Sequence, residues 1–125
     1  MYQHALATQA LCEGYGTSGD PFLKQAAQKA VDFLIFAQNP GLGGWRYEAR
    51  QDCDTSVTGW VVLALMTALD AHFKVPGFQR ARDWIDSVTE HSYYRVGYQS
   101  PLDGGILGPR LTAVALVCQI GRAHV

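Results

Sequence analysis

A chain of 125 residues holds one domain at most, and with 48% hydrophobic residues it has ample material for a core. Ten Lys and Arg against eleven Asp and Glu leave a formal net charge of −1 and no basic run or stripe, which excludes the electrostatic footprint of a nucleic-acid binder. The three cysteines, Cys12, Cys53 and Cys118, form no Cys-x-x-Cys pair and leave one unmatched, a pattern of reduced or buried thiols rather than a disulfide framework.

The first predicted helix covers residues 2–15, apolar or small at Ala5, Leu6, Ala7, Ala10 and Leu11, with Gly14 and Gly16 as stop signals. After a turn, Asp20 is an N-cap, and Pro21 takes the first helical position, where its missing N–H costs nothing. This second helix runs to about Gln38. Its apolar residues are Phe22, Leu23, Ala26, Ala27, Ala30, Phe33 and Leu34, and Lys24, Gln25, Gln28, Lys29 and Asp32 are its polar ones.

Residues 39–44 form a loop by their turn chemistry, and residues 45–47 a short extended piece. A third helix follows, with Asp54 or Thr55 accepting from the free N–H groups of its first turn. Over residues 57–69 it is apolar almost all the way round, so it is buried on most sides. At about 14 residues it is too short for a bilayer, which needs roughly 20, and no transmembrane segment is expected.

That helix ends near His72, and Val75, Pro76 and Gly77 reset the chain. An amphipathic helix over residues 78–89 follows, with Phe78, Ala81, Trp84, Ile85 and Val88 on one face. Residues 90–109 read as a long loop containing Tyr93, Tyr94 and Tyr98, and residues 111–119 begin a last apolar helix. The terminal residues 120–125 match one reading frame of a common sequencing adapter and are set aside as an artefact.

Apolar and amphipathic helices alternate in a register. The run Thr58-Gly-Trp-Val-Val-Leu-Ala64 recurs from Thr112 to Cys118, 54 residues on, and the same step back from Thr58 lands on His4. Ala5-Leu6 then falls on Gly59-Trp60, and Ala10-Leu11 on Ala64-Leu65. The intervening segments match at 51 residues (Phe33-Leu34 with Trp84-Ile85) and at 53 (Gly44-Trp45 with Gly97-Tyr98). A helix pair of this period cannot bury itself alone, which implies a solenoid or a closed α/α ring.

The pattern Ala30-x-x-Phe33-Leu34-x-x-x-Gln38-x-x-x-x-Gly43-Gly44-Trp45 resembles the glutamine–tryptophan repeat of the squalene/hopene cyclase and protein prenyltransferase superfamily. Over residues 1–119 the chain looks like bacterial prenyltransferase and squalene oxidase repeat proteins. The resemblance implies an all-α fold, a fragment of an (α/α) toroid with about two and a half helix-pair repeats and a period near 54 residues. It gives Gln38, Gly43, Gly44 and Trp45 a structural role: Gln38 bonds the free ends of the next inner helix and Trp45 stacks against it. In the second copy Thr89 stands where Gln is expected, and Tyr98 replaces the Trp.

Cyclases of this kind protonate a substrate with the middle aspartate of Asp-x-Asp-Asp-Thr at the start of an inner helix. Here the matching residues are Asp54-Thr55-Ser56-Val57-Thr58, so Ser56 stands in the acid's place and only Asp54, with Asp52 nearby, is left as a catalytic candidate. Zinc-dependent prenyltransferases use Asp-x-Cys at one inner-helix start and a His at another; Asp52 and Cys53 are adjacent instead, and with His4 they are the candidate zinc set. No other cofactor is implied.

The inner-helix starts converge in a toroid, which makes Trp60, Asp54, Arg110 and His4 the candidate ligand cavity. The other aromatics, Trp45, Tyr47, Tyr93, Tyr94 and Tyr98, line that cavity or pack the core. The expected function is therefore a non-catalytic toroid module that binds an isoprenoid, another apolar small molecule or a protein. The alternatives are part of a terpenoid cyclase whose acid lies in other repeats, and a zinc prenyltransferase-like enzyme.

Overall fold

The computed structural model describes the backbone of residues 1–120 and the side chains of residues 1–119; the segment from Gly121 onward, most of the stretch set aside above, lies outside the described residues. Five α-helices dominate: α1 (Tyr2–Ser18), α2 (Pro21–Ala37), α3 (Thr55–Asp70), α4 (Phe78–Ser87) and α5 (Gly108–Ile120). A two-residue antiparallel pair, β1 (Thr89–Glu90) with β2 (Arg95–Val96), and a 3₁₀ turn at Gly105–Leu107 lie between α4 and α5. The fold is all-α in class. No helix among the described residues is long and apolar enough to cross a membrane.

The apolar helix α3 is the hub, packed against α1, α2, α4 and α5. Its residues Val57, Val61, Val62, Ala64, Leu65 and Ala68 are all buried, as its uninterrupted apolar sequence requires. The helices α1, α3 and α5 begin at residues 2, 55 and 108, an even spacing of 53 residues.

Several local expectations change. Gly14 and Gly16 do not stop α1, which runs on to Gly19; that residue closes it in the left-handed conformation (φ 67°) and returns its N–H to the Tyr15 carbonyl. Gly14 instead allows close packing, since a Cβ there would sit 3.3 Å from Leu23 Cδ1. The buried stripe of α2 is Ala27, Val31, Leu34 and Ala37, and Phe22 is 84% exposed. The face is set by the partners α1 and α3, not by the largest side chains. The helix α4 ends at Ser87 rather than residue 89, and α5 starts at Gly108, taking Pro109 and Arg110 into its first turn.

The repeat motif staples, but to a different partner. Gln38 caps α2, and its buried amide donates to the Gly43 carbonyl (2.7 Å) and to the Gly77 carbonyl (2.9 Å), while its Oε1 accepts from Arg80 (2.6 Å). Gly77 is the N-cap of α4, so Gln38 joins the C-terminus of α2 to the start of α4, not to α3. The grip on α3 is supplied by Trp45. Its indole N–H donates to the Leu34 carbonyl of α2 (2.7 Å), its backbone N–H donates to Thr58 Oγ1 (3.0 Å), and its carbonyl accepts from Asp54 N–H (3.0 Å). Residues 45–47 form no strand.

The same clamp recurs one repeat later with a different residue. Thr112 Oγ1, 54 residues after Thr58, accepts from the backbone N–H of Val96 (3.1 Å). Val96, not Tyr98, therefore stands in the place of Trp45. Thr89, expected in the place of Gln38, bonds only back to Ile85 of its own helix (2.8 Å).

Candidate functional site

Two features gather at the α3 end where the sequence places its candidate residues: a polar cluster around the helix cap, and an apolar cleft beside it.

Asp54 is the N-cap of α3, in extended conformation, and its Oδ1 accepts from Val57 N–H at 2.8 Å. Its side chain is fully buried, and Oδ2 lies 3.4 Å from Arg46 Nε, at ion-pair distance but without the alignment of a hydrogen bond. Arg46 also binds Asp52 Oδ2 at 2.9 Å, and its guanidinium lies 5.4 Å from the Tyr47 ring and 6.0 Å from the Tyr98 ring. Gln99 closes the cluster by donating to Asp52 Oδ2 (2.8 Å) and the Cys53 carbonyl (3.1 Å).

These surroundings split the two carboxyls. Burial pushes the Asp54 carboxyl above its ordinary value, against the opposing pull of Val57 N–H and the Arg46 charge. Asp52 is held below its ordinary value, first by the Cys53 N–H and then by Gln99, with Arg46 adding to them. As catalytic candidates they fare differently from a working acid: Asp54 has no solvent-facing surface, and Asp52 is fixed in its ionised form. Burial raises the Tyr98 hydroxyl strongly as well, helped by the Tyr47 hydroxyl 3.3 Å away and by the Asp54 charge.

Replacing Asp54 by Ala removes the cap and strands Arg46, so urea unfolding should report a loss of about 1–2 kcal/mol. Asp54→Asn keeps an acceptor for Val57 and should cost less. Ionising Asp54 opposes folding, because its folded pKa lies above the unfolded one. The wild type should therefore gain on the Asn variant as pH falls through that raised pKa towards the ordinary carboxylate range. A gap that widens the other way on acidification would contradict the burial argument.

The cleft lies between α3 and α5. Ser56, Gly59, Trp60 and Leu63 form one wall and Ala113, Val114 and Val117 the other, around a volume of about 260 Å³. Gly59 makes the close approach possible, since a Cβ there would collide with Val114 Cγ1. Trp60 keeps 41% of its surface exposed, unlike the buried Trp45 and Trp84.

The four predicted cavity residues do not share one hollow. Trp60 lines the cleft, Asp54 is sealed at the cap, and Arg110 is exposed on the first turn of α5. His4 turns to α2, its ring 4.2 Å from that of Phe33, and its Nε2 is buried without a partner. Nor do His4, Cys53 and Asp52 assemble as a ligand set: among the described residues no three His, Cys, Asp or Glu side chains come together to hold a metal ion. Cys53 is buried, and burial raises its thiol to about 11.

Sequence reasoning singled out Arg46 and Tyr98 separately but not as partners, and it missed Gln99. Residues so far apart along the chain carry no local signal for such a contact. The bond between Tyr2 and Ser56 (2.6 Å) did have one, because the two are 54 residues apart and open successive inner helices. A larger hollow of about 570 Å³, lined by Tyr15, Lys24, His72, Phe73 and Lys74 among others, lies at the opposite end of α3. Comparison with protein families, curated proteins and solved structures gives no match for this chain.

Proposed function

We propose that this chain is a helix-pair module of the prenyltransferase and squalene oxidase repeat kind, part of an α/α toroid, that binds an apolar small molecule of isoprenoid type without transforming it. The observation that carries the reading is the half-exposed Trp60 on an otherwise apolar cleft between two inner-type helices. Soluble proteins rarely leave such a surface open unless something occupies it. The even spacing of α1, α3 and α5 and the Gln38–Trp45 staple support the repeat reading. A binding role is favoured over acid catalysis because Asp54 is spent as a cap and sealed from solvent.

The cleft is slightly smaller than the ~300–1,000 Å³ of typical ligand pockets, so a short chain such as farnesol should bind with micromolar affinity. Trp60 is the exposed tryptophan, so titration with farnesol should change the intrinsic fluorescence saturably. By calorimetry, Trp60→Ala should weaken binding about tenfold or more, a difference of roughly 1.4 kcal/mol. Equal affinity in the variant, or no saturation up to the solubility limit of the alcohol, would overturn the proposal.

A further inference from the structure

The exposure of the three inner-type helices follows the 54-residue register. On α3, Val61 and Ala64 are buried on one side and Gly59 and Val62 on the other. The residues 54 earlier on α1 that match the first side, Ala7 and Ala10, are exposed, while Ala5 and Thr8, matching the second, are buried. On α5 the order is reversed. Ala115 and Cys118, on the first side, are buried, and Ala113 and Leu116, on the second, are exposed, Leu116 by 54%. The helix α1 thus bares the side by which α3 receives its predecessor, and α5 bares the side by which α3 receives its successor.

We infer that a second copy of this chain docks head to tail, laying its α1 along the open side of α5. The contact continues an interface that the chain already makes twice, α1 on α3 and α3 on α5. The small residue at each open position suits it: Val114 of α5 sits over Gly59, and the residue matching Val114 on an incoming α1 is Leu6, 48% exposed, which would sit over Ala113. Both edges are apolar or small, and neither charge nor a polar group opposes their meeting. A heterologous contact of this kind does not close on itself in a pair, so copies add into rings or open chains.

The inference rests on the repeat reading, and its test separates the two. Sedimentation velocity on the full chain should show a mean mass that rises with concentration. Ala7→Glu and Leu116→Glu change exposed helical positions, should preserve the circular dichroism spectrum, and should each be monomeric. Mixed in equal amounts, the two variants should form a one-to-one dimer and nothing larger, because each keeps the edge that the other has lost. A monomeric wild type, variants that associate as the wild type does, or a mixture that stays monomeric would each overturn the proposal. Neither position lines the Trp60 cleft, so farnesol binding by the variants reports on the ligand proposal independently.

Discussion

Trp45→Ala should destabilise the chain by about 3–5 kcal/mol, the range for truncating a large buried aromatic side chain. Trp45 is 1% exposed, and its indole N–H is bonded to the Leu34 carbonyl, so truncation leaves both a cavity and an unpaired buried carbonyl. Its backbone meanwhile ties the cap residue Asp54 and Thr58 to the approach loop, so a void here loosens α2 and the start of α3 together. Domains of this size are stable by only about 5–15 kcal/mol, so the urea midpoint should fall to near zero. Trp45→Phe keeps most of the volume and loses the hydrogen bond, and should cost about 1–3 kcal/mol. If the Ala variant stays within about 1 kcal/mol of wild type, Trp45 does not hold the two helices as described.

Gly43→Ala should be nearly as damaging although it adds a single methyl group. Gly43 has φ of 89°, in the left-handed region that costs an L-residue about 1–2 kcal/mol. A Cβ would also lie 2.5 Å from the Arg80 carbonyl oxygen and 2.9 Å from its carbon, which are backbone atoms of α4 and cannot rotate away. The two helices must part to accept it, and the Gln38 staple runs through the same point, since its amide binds the Gly43 carbonyl. Strain and overpacking together should amount to roughly 3 kcal/mol, read as a lower urea midpoint. Gly41→Ala, two residues away with only Asn39 Oδ1 at 3.6 Å, is the control and should change little. Equal midpoints for the two variants would show that α2 and α4 are not pinned at this loop.

These two positions also mark what could be read along the chain and what could not. The sequence pattern identifies Gln38, Gly43, Gly44 and Trp45 as a structural unit, because turn glycines and a large aromatic following an amphipathic helix have local causes. It does not identify the partner of Gln38: the Gly77 carbonyl is 39 residues away and is brought near only by the packing of α4. The helix α3 is legible because an uninterrupted apolar run has one solution, burial. The face of α2 is not, since Phe22 and Phe33 outweigh Ala27 and Ala37 in hydrophobicity but lose to them in position. The helix end past Gly14 and Gly16 was hidden for a similar reason, as a tight crossing with α2 offsets their poor helical propensity. Of the site, Asp54 as a cap follows from chemistry within four residues. The Arg46 and Gln99 contacts to Asp52, and the turning of His4 towards Phe33, depend on tertiary packing.

The three thiols have a use that neither packing nor binding requires of them. Cys12 lies on α1, Cys53 on the loop entering α3, and Cys118 near the end of α5; all are buried, and burial raises them to about 11, 11 and 12. Thiols so placed are inert to alkylation until the surrounding backbone opens. Each is therefore a clock on a different part of the molecule, and their relative labelling times give the order in which the helices come apart without a single added probe.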